Sequence, residues 1–203
     1  MSRIEVFADV VCPFTHVGLR RLSEARRARD MSLPMRVRAW PLEWINGAPL
    51  EPDLAAKEIA ALRAQVAPEL FAGFETATFP RTSIPAFGLV AAAYAVDDLT
   101  GEMVSLALRD ALFEQGYDIS DESVLKDIGR PFGIEPFDRI KTESAVRTDW
   151  ERGKARGVQG SPHFFVGDRG WFCPSLDITH VGGRFEIQIA DDAMRDFYVA
   201  ALG

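Results

Sequence analysis

FADVVCPFTH, residues 7–16, is the stretch on which the reading of this 203-residue chain turns. A strand pattern over residues 3–8, with Ile4 and Val6 on one face, runs into Cys12, and Pro13 then occupies the first position of a helix. A helix starting just after Cys12 aims unpaired backbone N–H groups and a positive dipole end at the sulfur, which favours thiolate over thiol. The thiol pKa is therefore expected to fall, with burial opposing the shift. Where a Cys-x-x-Cys pair would place its second cysteine, the chain has Thr15. On this stretch alone, a small buried cysteine competes evenly with a reactive one.

Outward from this stretch, the helix is expected to run to about Arg29, offering Val17, Leu19, Leu22 and Ala25 as its apolar side. A second strand at about 35–42 places Val37 and Ala39 between Arg36 and Arg38, completing a βαβ unit with a parallel pair. Residues 53–156 then read almost wholly helical. DLAAKEIAALRAQV (53–66) groups Leu54, Ile59, Leu62 and Val66, and GEMVSLALRDALFEQG (101–116) groups Val104, Leu108, Ala111 and Leu112. A further helix has Ser120 as its N-cap, Asp121 and Glu122 in its first turn, and Ile119 and Val124 spaced as a hydrophobic staple. HFFVGDRGWFC (163–173) reads as a hairpin around Gly-Asp-Arg-Gly, and DDAMRDFYVAAL (191–202) as a closing helix with Met194, Phe197, Tyr198 and Leu202 on one face. The expected organisation is an α/β domain of residues 1–52 and 157–203, interrupted by an all-helical insertion at 53–156.

A second motif, GVQGSPHFFV (157–166), sets Ser161 and Pro162 just before a strand. A loop closed by a trans proline is the plain reading. A cis proline would instead turn a backbone edge outward beside the thiol, where an extended substrate pairs with it. The pair DVVCPFTHVG and GVQGSPHFFV around a helical insert resembles the DsbA-like thioredoxin superfamily. It is most similar to the branch with FrnE-like proteins and 2-hydroxychromene-2-carboxylate isomerases, related to kappa-class glutathione transferases. RAWPLEWING (38–47) and ALFEQGYDISDESVLKDI (111–128) extend the likeness over essentially the whole chain. The resemblance implies a thioredoxin-like fold with a large all-helical insertion. It makes Cys12 the nucleophile and Pro162 a cis proline packed against it, with Ser161 presenting the edge that receives a thiol substrate. It also places Pro13, Phe14, His16 and His163 around the substrate.

Thr15 departs from the redox pattern, because no Cys12–Thr15 disulfide exists. A monothiol cycle remains open: the thiolate takes a small thiol as an adduct and a second small thiol resolves it. The expected activity is thus that of a DsbA-like thiol-disulfide oxidoreductase acting on disulfides or mixed disulfides, with glutathione or an analogous low-molecular-weight thiol as cosubstrate. A glutathione-dependent transferase or isomerase of the same fold is the alternative, and a non-catalytic binding module the alternative from another class. Thr15 is read either as a hydroxyl donor to the thiolate or as a helix-start hydroxyl bonded to backbone. His16, four residues after Cys12, is read preferentially as a packed histidine over a thiolate stabiliser.

A net charge of −7 and a 47% apolar, 26% charged composition argue against nucleic acid and anionic membranes. No segment reads as a signal peptide or membrane span, so a cytoplasmic location is expected. No bound cofactor is expected. Cys173, placed opposite Phe164 by the assumed hairpin, has three readings. A buried strand cysteine is preferred over a remote second thiol, and over a metal ligand with Cys12, His16 and His163, because no recognised zinc spacing is present. The arginines at 20, 21, 26, 27 and 29 read as a solvated helix face, and Trp40, Trp44, Trp171 and Phe172 as core or cleft aromatics.

Overall fold

The computed structural model describes residues 4–31, 34–134 and 139–203. Its elements are β1 (Ile4–Ala8), α1 (Pro13–Arg27), β2 (Arg36–Ala39), α2 (Leu42–Asn46), α3 (Pro52–Gln65), α4 (Ile84–Val96), α5 (Asp98–Phe113), α6 (Glu122–Gly129), α7 (Arg139–Ala155), β3 (His163–Val166), β4 (Arg169–Phe172), β5 (Leu176–Val181), β6 (Arg184–Ile189) and α8 (Asp191–Leu202). The main sheet has the order β2-β1-β3-β4, and β5-β6 forms a separate two-stranded sheet. β1 is buried along its length because both its faces are covered. It pairs parallel with β2 and antiparallel with β3.

Strand alternation divides the core. Ile4, Val6 and Ala8 face Leu19 and Leu22 of α1 and Phe197 of α8. Phe7, on the opposite face, meets Trp40 and Phe165, with Trp150 of α7 packed alongside. The largest apolar cluster lies among the helices between β2 and β3, and it reaches into the α/β part through Val10, Val11, Val17 and Ala39. These helices hold the segment around Cys12 from one side while the sheet holds it from the other.

Several expectations shift in detail. The helix at 122–129 is capped by Asp121, whose carboxylate accepts from Ser123 N, rather than by Ser120. On α3, Ala55 takes the buried position in place of the exposed Leu54. The hairpin turn is Gly167-Asp168 alone, so Phe164 faces Trp171 and His163 faces Phe172. Cys173 therefore lies opposite Pro162 rather than Phe164, and its N–H donates to Pro162 O at 2.9 Å. The β5–β6 hairpin, with Gly182 and Gly183 at its turn, is an addition to the expected order.

Candidate functional site

The register Phe7↔His163 assembles the site. β1 ends where antiparallel β3 begins, so continuing past Phe7 on one strand and back from His163 on the other brings Asp9–Cys12 against Ser161–Pro162. Asp9 N–H donates to Ser161 Oγ at 2.8 Å. The Ser161–Pro162 peptide is cis. The Cys12 thiol donates to Ser161 O at 3.2 Å. Thr15, fully buried, shares a 2.8 Å hydrogen bond between its hydroxyl and that of Ser161. Cys12 is the N-cap residue of α1, followed by the buried Pro13 at N1, but its sulfur makes no cap hydrogen bond.

The chemistry of the thiol follows from competing effects. Burial raises the Cys12 pKa above its ordinary value, while the Ser161 and Thr15 hydroxyls and the Thr15 N–H favour the anion, and the charge of Glu58 disfavours it. The net direction is upward, contrary to the expected lowering by the helix start. Cys12 is only 3% exposed, and desolvation outweighs the few dipoles aimed at the sulfur. The thiol is thus held neutral against the Ser161 carbonyl, with groups already placed to receive it as an anion.

The family model for the DSBA-like thioredoxin domain matches residues 3–180. The chain belongs to the DSBA-like thioredoxin family. Among solved structures, 2-hydroxychromene-2-carboxylate isomerase is 20% identical with a TM-score of 0.59, over 83% of this chain and 87% of its own. The cytosolic disulfide reductase DsbM from Pseudomonas aeruginosa with GSH is 14% identical with a TM-score of 0.63, over 97% of this chain and 98% of its own. These likenesses establish the fold. The search of curated proteins gives no match.

Within this DSBA-like fold, some of the expected site residues leave the thiol. His16 is 1% exposed and turns to Glu114, Nε2 to Oε1 2.7 Å, with its ring against Phe71 and Phe113. Burial pulls its pKa down despite the carboxylate. Glu114, held down at about 2 against its own burial by His16 and by the Phe71 and Ala72 amides, ties that loop to α1. His163 is buried and stacked on Phe165 at 4.5 Å, its Nδ1 accepting from Gln159 N. Phe14 is half-buried, with its ring 6.5 Å from Phe185. Cys173 is buried and unbridged, at a positive φ of 42°, and burial pushes its thiol up to about 12. Among the described residues, no three His, Cys, Asp or Glu side chains converge to hold a metal.

Of the arginines expected on a solvated face, Arg27 and Arg29 are exposed, but the other three are engaged. Arg20 pairs with Asp110, Arg21 donates to Ser175 O and Val66 O, and the buried Arg26 bonds Glu102, because α1 packs on acids supplied by α5. Trp40 is core, and Trp44 and Trp171 are packed on Trp150 and Phe197, while Phe172 is 50% exposed. Among the described residues, no helix is long and apolar enough to cross a membrane.

Sequence reasoning missed the charged pair behind the site. Asp9 is fully buried, and its carboxylate accepts from Val11 N (3.1 Å), Leu42 N (2.6 Å) and the Ser83 hydroxyl (3.4 Å). Burial pushes its pKa up to about 6. Arg109, also fully buried, donates to Asp9 O (3.0 Å), Ser105 O (2.8 Å) and Ser105 Oγ (2.7 Å). A signal for both was present: an acid inside VFADVVC and an arginine inside SLALRDALF each interrupt apolar runs.

Proposed function

We propose that this protein is a thiol-disulfide oxidoreductase working through the one thiol of Cys12, with glutathione or an analogous small thiol as cosubstrate in a reducing cytoplasm. The reading rests chiefly on the contact of the Cys12 thiol with Ser161 O at 3.2 Å, at the start of α1. An extended substrate whose backbone N–H takes Ser161 O displaces the thiol from its acceptor, leaving the Thr15 and Ser161 hydroxyls to receive the anion. The thiolate then attacks the glutathionyl sulfur of a mixed disulfide RSSG. A Cys12–SG bond forms, the S–S bond breaks, and RS⁻ leaves. A second glutathione thiolate attacks the Cys12-bound glutathionyl sulfur, giving GSSG and regenerating Cys12 thiolate. The disulfide reductase with GSH among the structural neighbours supports this reading.

Oxidised glutathione is the test, read by intact mass. The wild type should keep a stable glutathione adduct, and Thr15→Cys should lose it through a disulfide between positions 12 and 15. If the wild type instead loses two hydrogens and Cys173→Ser prevents this, Cys173 resolves the adduct and the monothiol cycle is wrong. The raised thiol pKa favours a second reading, a glutathione-dependent transferase or isomerase in which Cys12 stays protonated beside bound glutathione. Tight glutathione binding without any adduct would select it.

A further inference from the structure

A hollow at the far end of α1 takes no part in the thiol chemistry. Ser23 lies about three turns beyond Cys12, roughly 16 Å along the helix axis. In the turn that follows α1, Asp30 adopts the left-handed region at φ 51°. Its N–H donates to Arg27 O at 3.1 Å, and Met31 N–H donates to Arg26 O at 3.0 Å. This turn brings Asp30 and Met31 to a cavity of about 340 Å³, with Ser23, Arg26 and Arg27 on the α1 side and Glu102 and Leu106 on the α5 side. A volume of that size suits a small ligand.

The base of the cavity is a buried ion pair with donors to spare. Arg26 and Glu102 are 8% and 6% exposed, with Arg26 Nη1 2.5 Å from Glu102 Oε1. Glu102 Oε2 accepts from Met35 N at 2.8 Å, so both carboxylate oxygens are engaged. Arg26 Nε and Ser23 Oγ, by contrast, are buried and have no hydrogen-bond partner among the described residues. Buried polar atoms are almost always paired, and two orphans on residues lining one cavity point to an acceptor that belongs there. At the rim, Arg27 and Asp30 are exposed, and among the described residues neither side chain has a hydrogen-bond or ion-pair partner. Met31 and Leu106 supply half-buried apolar walls.

We propose that this cavity binds a free α-amino acid with an apolar side chain. The ligand carboxylate takes the unpaired donors of Ser23 and Arg26, and Arg27 adds its charge. The ligand ammonium faces Asp30, at the negative end of the α1 dipole. The ligand side chain lies on Met31 and Leu106. The charges of the lining select a zwitterion, because Arg26 and Arg27 balance Asp30 and Glu102. A simple anion meets two carboxylates there, and a simple cation meets two guanidiniums. The site stands apart from Cys12 and does not depend on the exchange chemistry proposed above.

Isothermal titration of the whole chain with L-leucine tests the site. The comparison ligands are L-leucinamide, which lacks the carboxylate, N-acetyl-L-leucine, which lacks the ammonium, glycine, which lacks the side chain, and inorganic phosphate. Leucine should bind saturably, and each comparison ligand about tenfold more weakly or worse. Ser23→Ala should weaken leucine binding about tenfold, yet leave the empty protein as stable or slightly more so in urea, because the buried hydroxyl it removes has no partner. Arg27→Ala, at the exposed rim, should also weaken leucine binding. Neither variant should change the rate of Cys12 alkylation. No saturable leucine binding overturns the proposal, as does any comparison ligand that binds as tightly as leucine. Leucine binding that survives both substitutions puts the ligand elsewhere and overturns it too. So does a Ser23→Ala protein that loses stability when empty, since the hydroxyl is then already paired.

Discussion

Asp9→Asn isolates the cost of keeping a charge behind the thiol. The carboxylate is completely buried and accepts two backbone N–H groups and a hydroxyl, yet burial still raises its pKa from the ordinary 3.8 to about 6. A folded pKa above the unfolded one means that the folded state binds the proton more tightly. Stability from this group is then full below 3.8, declines as pH rises through that value, and is lost above about 6. At ~1.4 kcal/mol per pH unit, the swing is about 3 kcal/mol. Asn carries no charge, so its stability has no such slope. The difference in unfolding free energy, wild type minus Asp9→Asn, should fall by about 3 kcal/mol between acid and neutral pH, and other titrating groups cancel because both proteins have them. Urea unfolding followed by circular dichroism across that range measures the difference. A difference that is flat with pH, or one that moves in favour of the wild type as pH rises, refutes the reasoning.

Arg109→Leu leaves the Asp9 and Ser105 carbonyls short of their donors and removes the cation nearest Asp9, so it should cost about 3 kcal/mol in urea unfolding. A loss well under ~1 kcal/mol would show that the buried guanidinium contributes little beyond its own desolvation. Gly153→Ala should destabilise α7 against the sheet, because a Cβ there would stand 2.4 Å from Trp40 Cζ3 and 3.0 Å from Phe7 Cδ1. The overpacking cost of about 1–3 kcal/mol exceeds the ~1 kcal/mol gained in helix propensity, and a more stable variant by urea titration would contradict this. Cys173, buried and with its thiol held protonated, should resist iodoacetamide in the native protein and react once the chain is unfolded in urea. Peptide mapping that finds native label on Cys173 would place it at the surface.

Local chemistry was readable residue by residue. The burial of β1, the start of α1 at Pro13, the alternation of Val37 and Ala39, and the face of α5 carrying Val104, Leu108, Ala111 and Leu112 all follow from period and from proline geometry. The β5–β6 hairpin was equally legible in LDITHVGGRFEIQI, two alternating runs around a Gly-Gly turn in which both glycines have positive φ, although it was not read as strands. The sequence also marked both halves of the site, Cys12 at a helix start and Ser161-Pro162 before a strand.

What joins those halves is nonlocal. Cys12 and Ser161 are 149 residues apart, and only the pairing of β1 with β3 in the register Phe7↔His163 brings the thiol to the Ser161 carbonyl. Helical spacing put His16 on the Cys12 side of α1, but Glu114, 98 residues away, draws its ring elsewhere. The same spacing put Arg20 and Arg26 on an apparently open face that Asp110 and Glu102 of α5 then cover. Even the sign of the thiol's pKa shift depended on depth. A helix start favours the anion in any sequence with Cys12 before Pro13, but desolvation is set by how closely the helices and sheet close over the sulfur, and here it prevails. Periodicity and residue type act over a few neighbouring positions and so can be read along the chain, whereas burial and partner choice depend on which distant segments pack together.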